Sequence, residues 1–178
     1  MRPEAFPDSF TTARLRAERL TADHLGEVQR MHRDPAVMAH LGGVRDDEQT
    51  AAYLARNLAH WVTYGFGLWI LREVGGGDPI GRAVLRHILI DGVDEVEVGY
   101  GFYPSHWGRG LATEVTLACL ALGRRHLHLT SIVAVTSPAN LASQHVLQKA
   151  GLVHERDFVQ EGMPSALFRT RTTGTERD

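Results

Sequence analysis

The chain has 178 residues, which at about 150 residues per domain is one domain, and 43% of them are hydrophobic, enough for one sizeable core. Its net charge of -2 excludes a protein that coats phosphate backbones, so no direct nucleic-acid partner is expected. The single cysteine, Cys119, excludes an intramolecular disulfide framework and a multi-cysteine zinc site, and the ten scattered histidines show no ligand spacing, so no metal is expected.

Residues 1–10 read as a flexible N-terminus and 171–178 as a flexible tail around a domain of residues 11–170. Residues 14–20 read as a strand, and Thr21 is placed to cap a helix that runs to about Arg33, where Asp34-Pro35 stops it. Asp46 and Gln49 have capping-box spacing and open a helix through Tyr64, and the Gly42-Gly43 link before it is expected to be mobile. Three antiparallel strands follow at residues 66–73, 80–90 and 95–103, separated by a glycine-rich turn and by Asp91-Gly92. Residues 109–125 form a long helix, 132–135 a short buried strand, and 140–150 a helix ended by Gly151; runs near 153–159 and 166–170 form a closing hairpin. The order βααβββαβαββ predicts an α/β domain with a mixed sheet and helices on its faces. No run approaches the roughly 20 apolar residues of a membrane span and the start lacks a leader pattern, so a cytoplasmic protein without a membrane partner is expected.

The stretch Trp107-Gly108-Arg109-Gly110-Leu111-Ala112-Thr113 leaves a strand, turns and opens a helix. Two glycines let backbone approach a ligand, and the free amides with the positive end of a helix make a place for a phosphate. An ordinary strand-to-helix turn would use glycines as well. The chain has no Gly-Lys pair for a nucleotide-hydrolase loop, and Thr113 stands where a dinucleotide fold needs its third glycine. No Asp or Glu lies between Glu114 and Glu155, while Arg124, Arg125 and Lys149 do, so a polyanion other than a dinucleotide or ATP is the expected guest.

These residues resemble a known family. The segment Trp107 to Ala112 resembles the Gln/Arg-x-x-Gly-x-Gly/Ala pyrophosphate loop of the GNAT N-acetyltransferase superfamily. Asn140, Ser143, Lys149 and Gly151 resemble the Asn-x-x-Ser…Lys-x-Gly-Phe segment of its ribosomal-protein N-terminal acetyltransferase (RimJ/RimL-like) branch, and residues 96–100 that branch's strand before the loop. The resemblance implies the acyl-coenzyme A N-acyltransferase fold and acetyl-coenzyme A as acyl donor. By the same resemblance, amides of Gly108, Arg109, Gly110, Leu111, Ala112 and Thr113 would hold the pyrophosphate, with Trp107 opening the loop. The pantetheine arm would lie where the strand ending at Phe102 and Tyr103 splays from the next. Asn140 and Lys149 would contact the cofactor, and Ser143 would sit near its sulfur. Leu147 stands where many members have a tyrosine that protonates the leaving thiolate, so that role is missing or passes to Ser143.

Strand alternation bears on catalysis independently of the family. Val96, Val98, Tyr100 and Phe102 share one face, leaving Glu95, Glu97, Gly99 and Gly101 on the other, where the glycines give a ligand floor space. A primary amine arrives mostly protonated at pH 7, so acyl transfer by direct attack needs a base; Glu97 is the candidate, with Glu95 nearer substrate or solvent. A free amide near Phe102 could stabilise the oxyanion. The expected partner is an amine, a protein N-terminus or a small molecule such as an aminoglycoside, polyamine or amino acid, handled by a monomer or homodimer. A non-catalytic sensor of acyl-coenzyme A is the alternative from another class.

Overall fold

The computed structural model describes residues 5–171; residues 1–4 and 172–178, on which much of the expected flexible ends falls, lie outside the described part. The strands are β1 (Ser9–Thr11), β2 (Leu15–Arg19), β3 (Leu68–Glu73), β4 (Gly81–Ile90), β5 (Val93–Phe102), β6 (Val133–Thr136), β7 (Leu152–Gln160) and β8 (Met163–Thr170). The helices are α1 (Leu25–His32), α2 (Pro35–Met38), α3 (Asp47–Tyr64), α4 (Leu111–Leu127) and α5 (Leu141–Lys149). One sheet runs in the order β1-β2-β3-β4-β5-β6-β8-β7, antiparallel throughout except between β5 and β6. This is the mixed, mostly antiparallel sheet that the sequence predicts.

Helices cover both faces because the strands are apolar on both. Leu68, Ile70 and Val84 pack with Leu20, Val28 and Leu54 beneath α1 and α3. On the other face Leu85, Val98 and Phe168 pack with Leu111, Val115 and Leu147 beneath α4 and α5. Trp61 and Trp69 are core residues. Cys119 is fully buried on α4, and burial pushes its thiol pKa up to about 12, which removes it as a nucleophile.

The first third of the chain departs from expectation. The helix drawn from Thr21 to Arg33 begins as a 3-10 turn at Ala22–His24, because His24 Nδ1 accepts the Thr21 amide at 2.9 Å and tightens the first turn. Asp34-Pro35 ends α1 but also starts α2: Asp34 Oδ1 accepts from the amides of Ala36 and Val37, and proline suits the first helical position. The Gly42-Gly43 link, expected to be mobile, is tied by Gly43 N to Met38 O and Arg45 N to His32 O, both 3.0 Å. Residues 6–10 are packed, contrary to the expected flexible start. Phe6 stacks 5.8 Å from Trp69, and β1 pairs with β2, placing Phe10 edge-on to Trp69 at 5.2 Å.

The feature that positions the site is a seam in the sheet. β4 and β5 pair from end to end, but β5 and β6 meet only at Glu97 and Val133, and diverge beyond them.

Candidate active site

The loop into α4 is shaped by glycine. Gly108 and Gly110 have φ of +71° and +77°, a conformation in which side chains are strained, and Gly110 is the helix N-cap. The loop is buttressed from the bend just before β2: Arg14 Nη1 donates to the Arg109 carbonyl at 2.6 Å, and Arg14 Nε pairs with Glu114 at 2.7 Å. Burial works to raise the Glu114 pKa, but hydrogen bonds from Thr12 and Arg14 outweigh it and hold the carboxyl below its usual range. Glu114 therefore stays charged in the first turn of α4, where the helix dipole favours it. Trp107 Nε1 donates to the Phe102 carbonyl at 2.8 Å, fixing the loop to the end of β5.

Between the loop and the seam lies a cleft of about 680 Å³. Glu97, Phe102, Trp107, Gly108, Gly110, Leu111, Ala112, Thr113, Asn140, Ser143 and Lys149 all line it, which gathers most of the sequence-derived candidates in one place. Two candidates lie off its wall. Arg109 turns its side chain to Glu73, 2.6 Å away, and Tyr103 packs against the cluster of Met31, Val37 and Met38, where burial pushes its hydroxyl pKa up. Of the three basic residues of the acid-free span, Lys149 lines the cleft, whereas Arg124 and Arg125 sit in the last turn of α4, about 20 Å along the axis from Gly110.

Hydrogen-bond alternation in the antiparallel β4–β5 pair decides which amides face the seam. Tyr103 N donates to Ile80 O, so odd-numbered residues of β5 turn their backbone groups to β4 and even-numbered ones turn theirs toward β6. The amides of Tyr100 and Phe102 therefore point into the gap beyond the last β5–β6 bridge. At its far wall α5 begins with Asn140, whose Oδ1 accepts the Ser143 amide at 3.1 Å. Asn140 is thus a helix cap whose carboxamide nitrogen stays available to the cleft. The Ser143 hydroxyl lies 2.9 Å from the Tyr100 hydroxyl. Burial pushes the Tyr100 pKa up, with the Ser143 bond acting the other way, so the phenol keeps its proton at neutral pH. Alternation places Tyr100 on the core face; only the tertiary fold brings it to Ser143.

The opposite side of β5 faces α2 and α3. Glu97 is 6% exposed, and both nitrogens that Arg86 offers go to its Oε1 at 2.5 Å. The second oxygen, Oε2, has no hydrogen-bond partner among the described residues. Burial opposes the Arg86 charge, but the carboxylate beside it more than reverses this and holds the guanidinium above its ordinary range. Glu95 is not turned to substrate or solvent: Arg169 binds it at 2.9 Å and Glu155 as well, a network that ties β5 to β8 and β7. Beyond Glu97, Arg82 lies opposite Gly101 on the same face, beneath the Tyr53 ring. Arg45 covers that ring from 4.9 Å and donates to His32 Nε2 at 3.0 Å, so His32 carries its proton on Nδ1, toward Thr50. Burial, with Arg45 and Arg82 nearby, pushes the His32 pKa down to about 4.

Residues 14–153 match the family described as the acetyltransferase (GNAT) domain. The chain belongs to that family. A relative at full-domain scale is the uncharacterized protein YkkB of Bacillus subtilis, 30% identical over 139 residues, covering 78% of this chain and 81% of the relative. Among solved structures, an acetyltransferase from Agrobacterium tumefaciens superposes with a TM-score of 0.81 at 24% identity, covering 92% of this chain and 94% of its own. Spermidine N-acetyltransferase from Vibrio cholerae, solved in complex with CoA and spermine, has the same fold (TM-score 0.73, 14% identity, 91% and 98% coverage). Among the described residues no group of three or more His, Cys, Asp or Glu could hold a metal ion, and no helix is long and apolar enough to cross a membrane.

Proposed function

We propose that this GNAT chain moves an acetyl group from acetyl-coenzyme A to a primary amine by direct attack, in the manner of the ribosomal-protein N-terminal acetyltransferase branch. The observation that carries the reading is the seam: an amide-lined gap opens between the glycine loop at one end and Glu97 at the other. The cradle fits the donor, since loop amides suit a pyrophosphate and the amides of Tyr100 and Phe102 suit the carbonyls of an extended amide-bearing arm. Bound there, acetyl-coenzyme A supplies an activated acyl group on a thiol leaving group.

The side chains divide the proton transfers between the two faces of β5. On the α2–α3 face, Glu97 Oε2 takes a proton from the acceptor amine, directly or through a water, while Arg86 holds Oε1 and orients the carboxylate. Because Arg86 holds Oε1, Oε2 is the oxygen left to receive the ammonium before accepting its proton. On the α4–α5 face, the Ser143 hydroxyl donates to the departing thiolate and is backed by the Tyr100 hydroxyl. Tyr100 thereby fills the place left open by Leu147. The acceptor is a protein N-terminal α-amine or a small amine.

Glu97→Gln tests the assignment, since it keeps size and removes basicity. Coenzyme A binding measured by calorimetry should persist, and kcat/KM at neutral pH should fall about 10- to 1000-fold. The defect should shrink as pH rises toward the acceptor's own pKa. A defect constant across pH would make Glu97 an anchoring group only, and full activity would remove it from the mechanism. Failure of the parent protein to release thiol with any amine would favour a silent acyl-coenzyme A binder.

A further inference from the structure

Arg82 carries an unanswered charge inside the cleft. It is 8% exposed, its Nε is inaccessible and without a hydrogen-bond partner, and no carboxylate pairs with it among the described residues. Its neighbours do not compensate. The contacts around it are the face of Tyr53, 5.7 Å from its guanidinium carbon, and the cationic Arg45 on that same ring, while the nearby His32 is neutral. Of the two carboxylates on this face of β5, Glu95 is held by Arg169, and Arg86 already occupies Oε1 of Glu97. A buried cation left unpaired is costly, and proteins retain one where something else completes it. The backbone makes room for that partner: Arg82 lies across from Gly101, where a side chain would start 3.2 Å from Leu41 Cδ1 and 3.9 Å from Arg82 Nε.

We infer that the acceptor is an amine that also carries a carboxylate, with Glu97 receiving the amine and Arg82 receiving the acid group. The inference rests on the acetyltransferase reading above and narrows its substrate class. Arg82 and Glu97 project from the same face of the β4–β5 pair, four residues apart along β5 by register, or about 13 Å at the backbone. Both residues line the same cleft, so the two ends of one molecule or of an acidic N-terminal peptide can be held together. A polycation such as spermidine meets the opposite situation. It would place ammonium groups against Arg82 and Arg86 with a single carboxylate oxygen to receive them, and like charge at close range in a buried cleft is rejected.

The test is a panel of acceptors with acetyl-coenzyme A, each rate expressed per free amine so that differences in amine pKa cancel. β-Alanine is paired with β-alaninamide, glycylglycine with glycylglycinamide, and a peptide with Glu at position two with the same peptide carrying Gln; spermidine and kanamycin are the polycations. The carboxylate member of at least one pair should be favoured by about 10-fold or more in kcat/KM, and which pair responds tells a small molecule from a peptide. Arg82→Gln should bring that ratio to about one while leaving the amide's rate and coenzyme A affinity in place, and Arg82→Lys should restore part of it. Equal or better turnover of amides or polycations by the parent overturns the inference with the acetyltransferase reading intact. Absence of thiol release with every amine counts against that reading instead. The inference is then decided by calorimetry of β-alanine with the coenzyme A-loaded protein, where binding must be present in the parent and lost in Arg82→Gln. Should Arg82→Gln fail to fold, Gly101→Leu, which fills the space beside the guanidinium, must produce the same loss of preference.

Discussion

The two sides of β5 are built by different means. Toward α4 and α5 the cleft is made largely of backbone: glycines in a loop, the first amides of a helix, and strand amides bared by a seam. Toward α2 and α3 it is made of side chains, with Glu97, Arg86 and Arg82 on paired strands beneath Tyr53, Arg45 and His32 from other elements. Backbone recognition depends on conformation and tolerates changes in side-chain identity. Side-chain recognition depends on which charges are paired and tolerates small changes in shape. The first side suits a ligand shared across a family, and the second suits one that differs from member to member.

Substitutions that respect one side and damage the other sharpen this contrast. The largest effect is expected from Gly110→Val, which adds a branched side chain at φ +77°, with its Cβ 3.4 Å from Arg14 Nη2. Coenzyme A affinity should fall about 100-fold or more in a variant whose circular dichroism is unchanged, and unaltered calorimetric affinity would end the loop assignment. An intermediate effect is expected where the two modes meet, at Tyr100 and Ser143. Tyr100→Phe and Ser143→Ala should each lower kcat about 3- to 30-fold with coenzyme A affinity preserved. If the pair acts as one relay, the double variant should be scarcely worse than either. Additive losses would mean that the two hydroxyls act separately.

The effect that is absent at neutral pH belongs to the side-chain half, and appears in stability. His32 has its pKa lowered to about 4 from an ordinary value of 6.5, so below pH 6.5 the unfolded chain takes up a proton that the folded chain refuses. Its contribution is complete above 6.5 and is lost as pH falls toward 4, a loss of up to about 3 kcal/mol. Melting temperatures measured between pH 7 and pH 4 should therefore fall more steeply for the parent than for His32→Gln. Parallel curves would show that the neutral imidazole is not what the Arg45 contact requires.

This division also explains what the sequence revealed. The loop was legible because glycine spacing before a helix is a local signal, and α3 and α5 because Asp46 and Asn140 cap them within three residues. Three antiparallel strands were legible from alternation and from Asp91-Gly92. That turn also sets the register: counting outward from two loop residues pairs Arg86 with Glu97 and Arg82 with Gly101. The Tyr100–Ser143 contact was hidden for a physical reason, since 43 residues and a crossover helix separate two groups that alternation assigns to a core face and a helix start. Arg14 was likewise out of reach, because its bond to Arg109 spans 95 residues. β1 is not legible in the sequence because a three-residue edge strand carries no periodicity, and Phe10 on it packs against the ring of Trp69.

The single bridge between β5 and β6 has a thermodynamic side. Past Glu97 the sheet is unfinished, with two amides of β5 turned to a space where a neighbouring strand would ordinarily answer them. A ligand arm carrying amide groups would serve there as a short ninth strand, so the fold is completed by what it binds. Binding and folding then draw on the same hydrogen bonds, and a ligand present at 100 times its dissociation constant would raise the free energy of unfolding by about 2.7 kcal/mol. The resistance of the protein to heat thus becomes a gauge of how much of that ligand surrounds it.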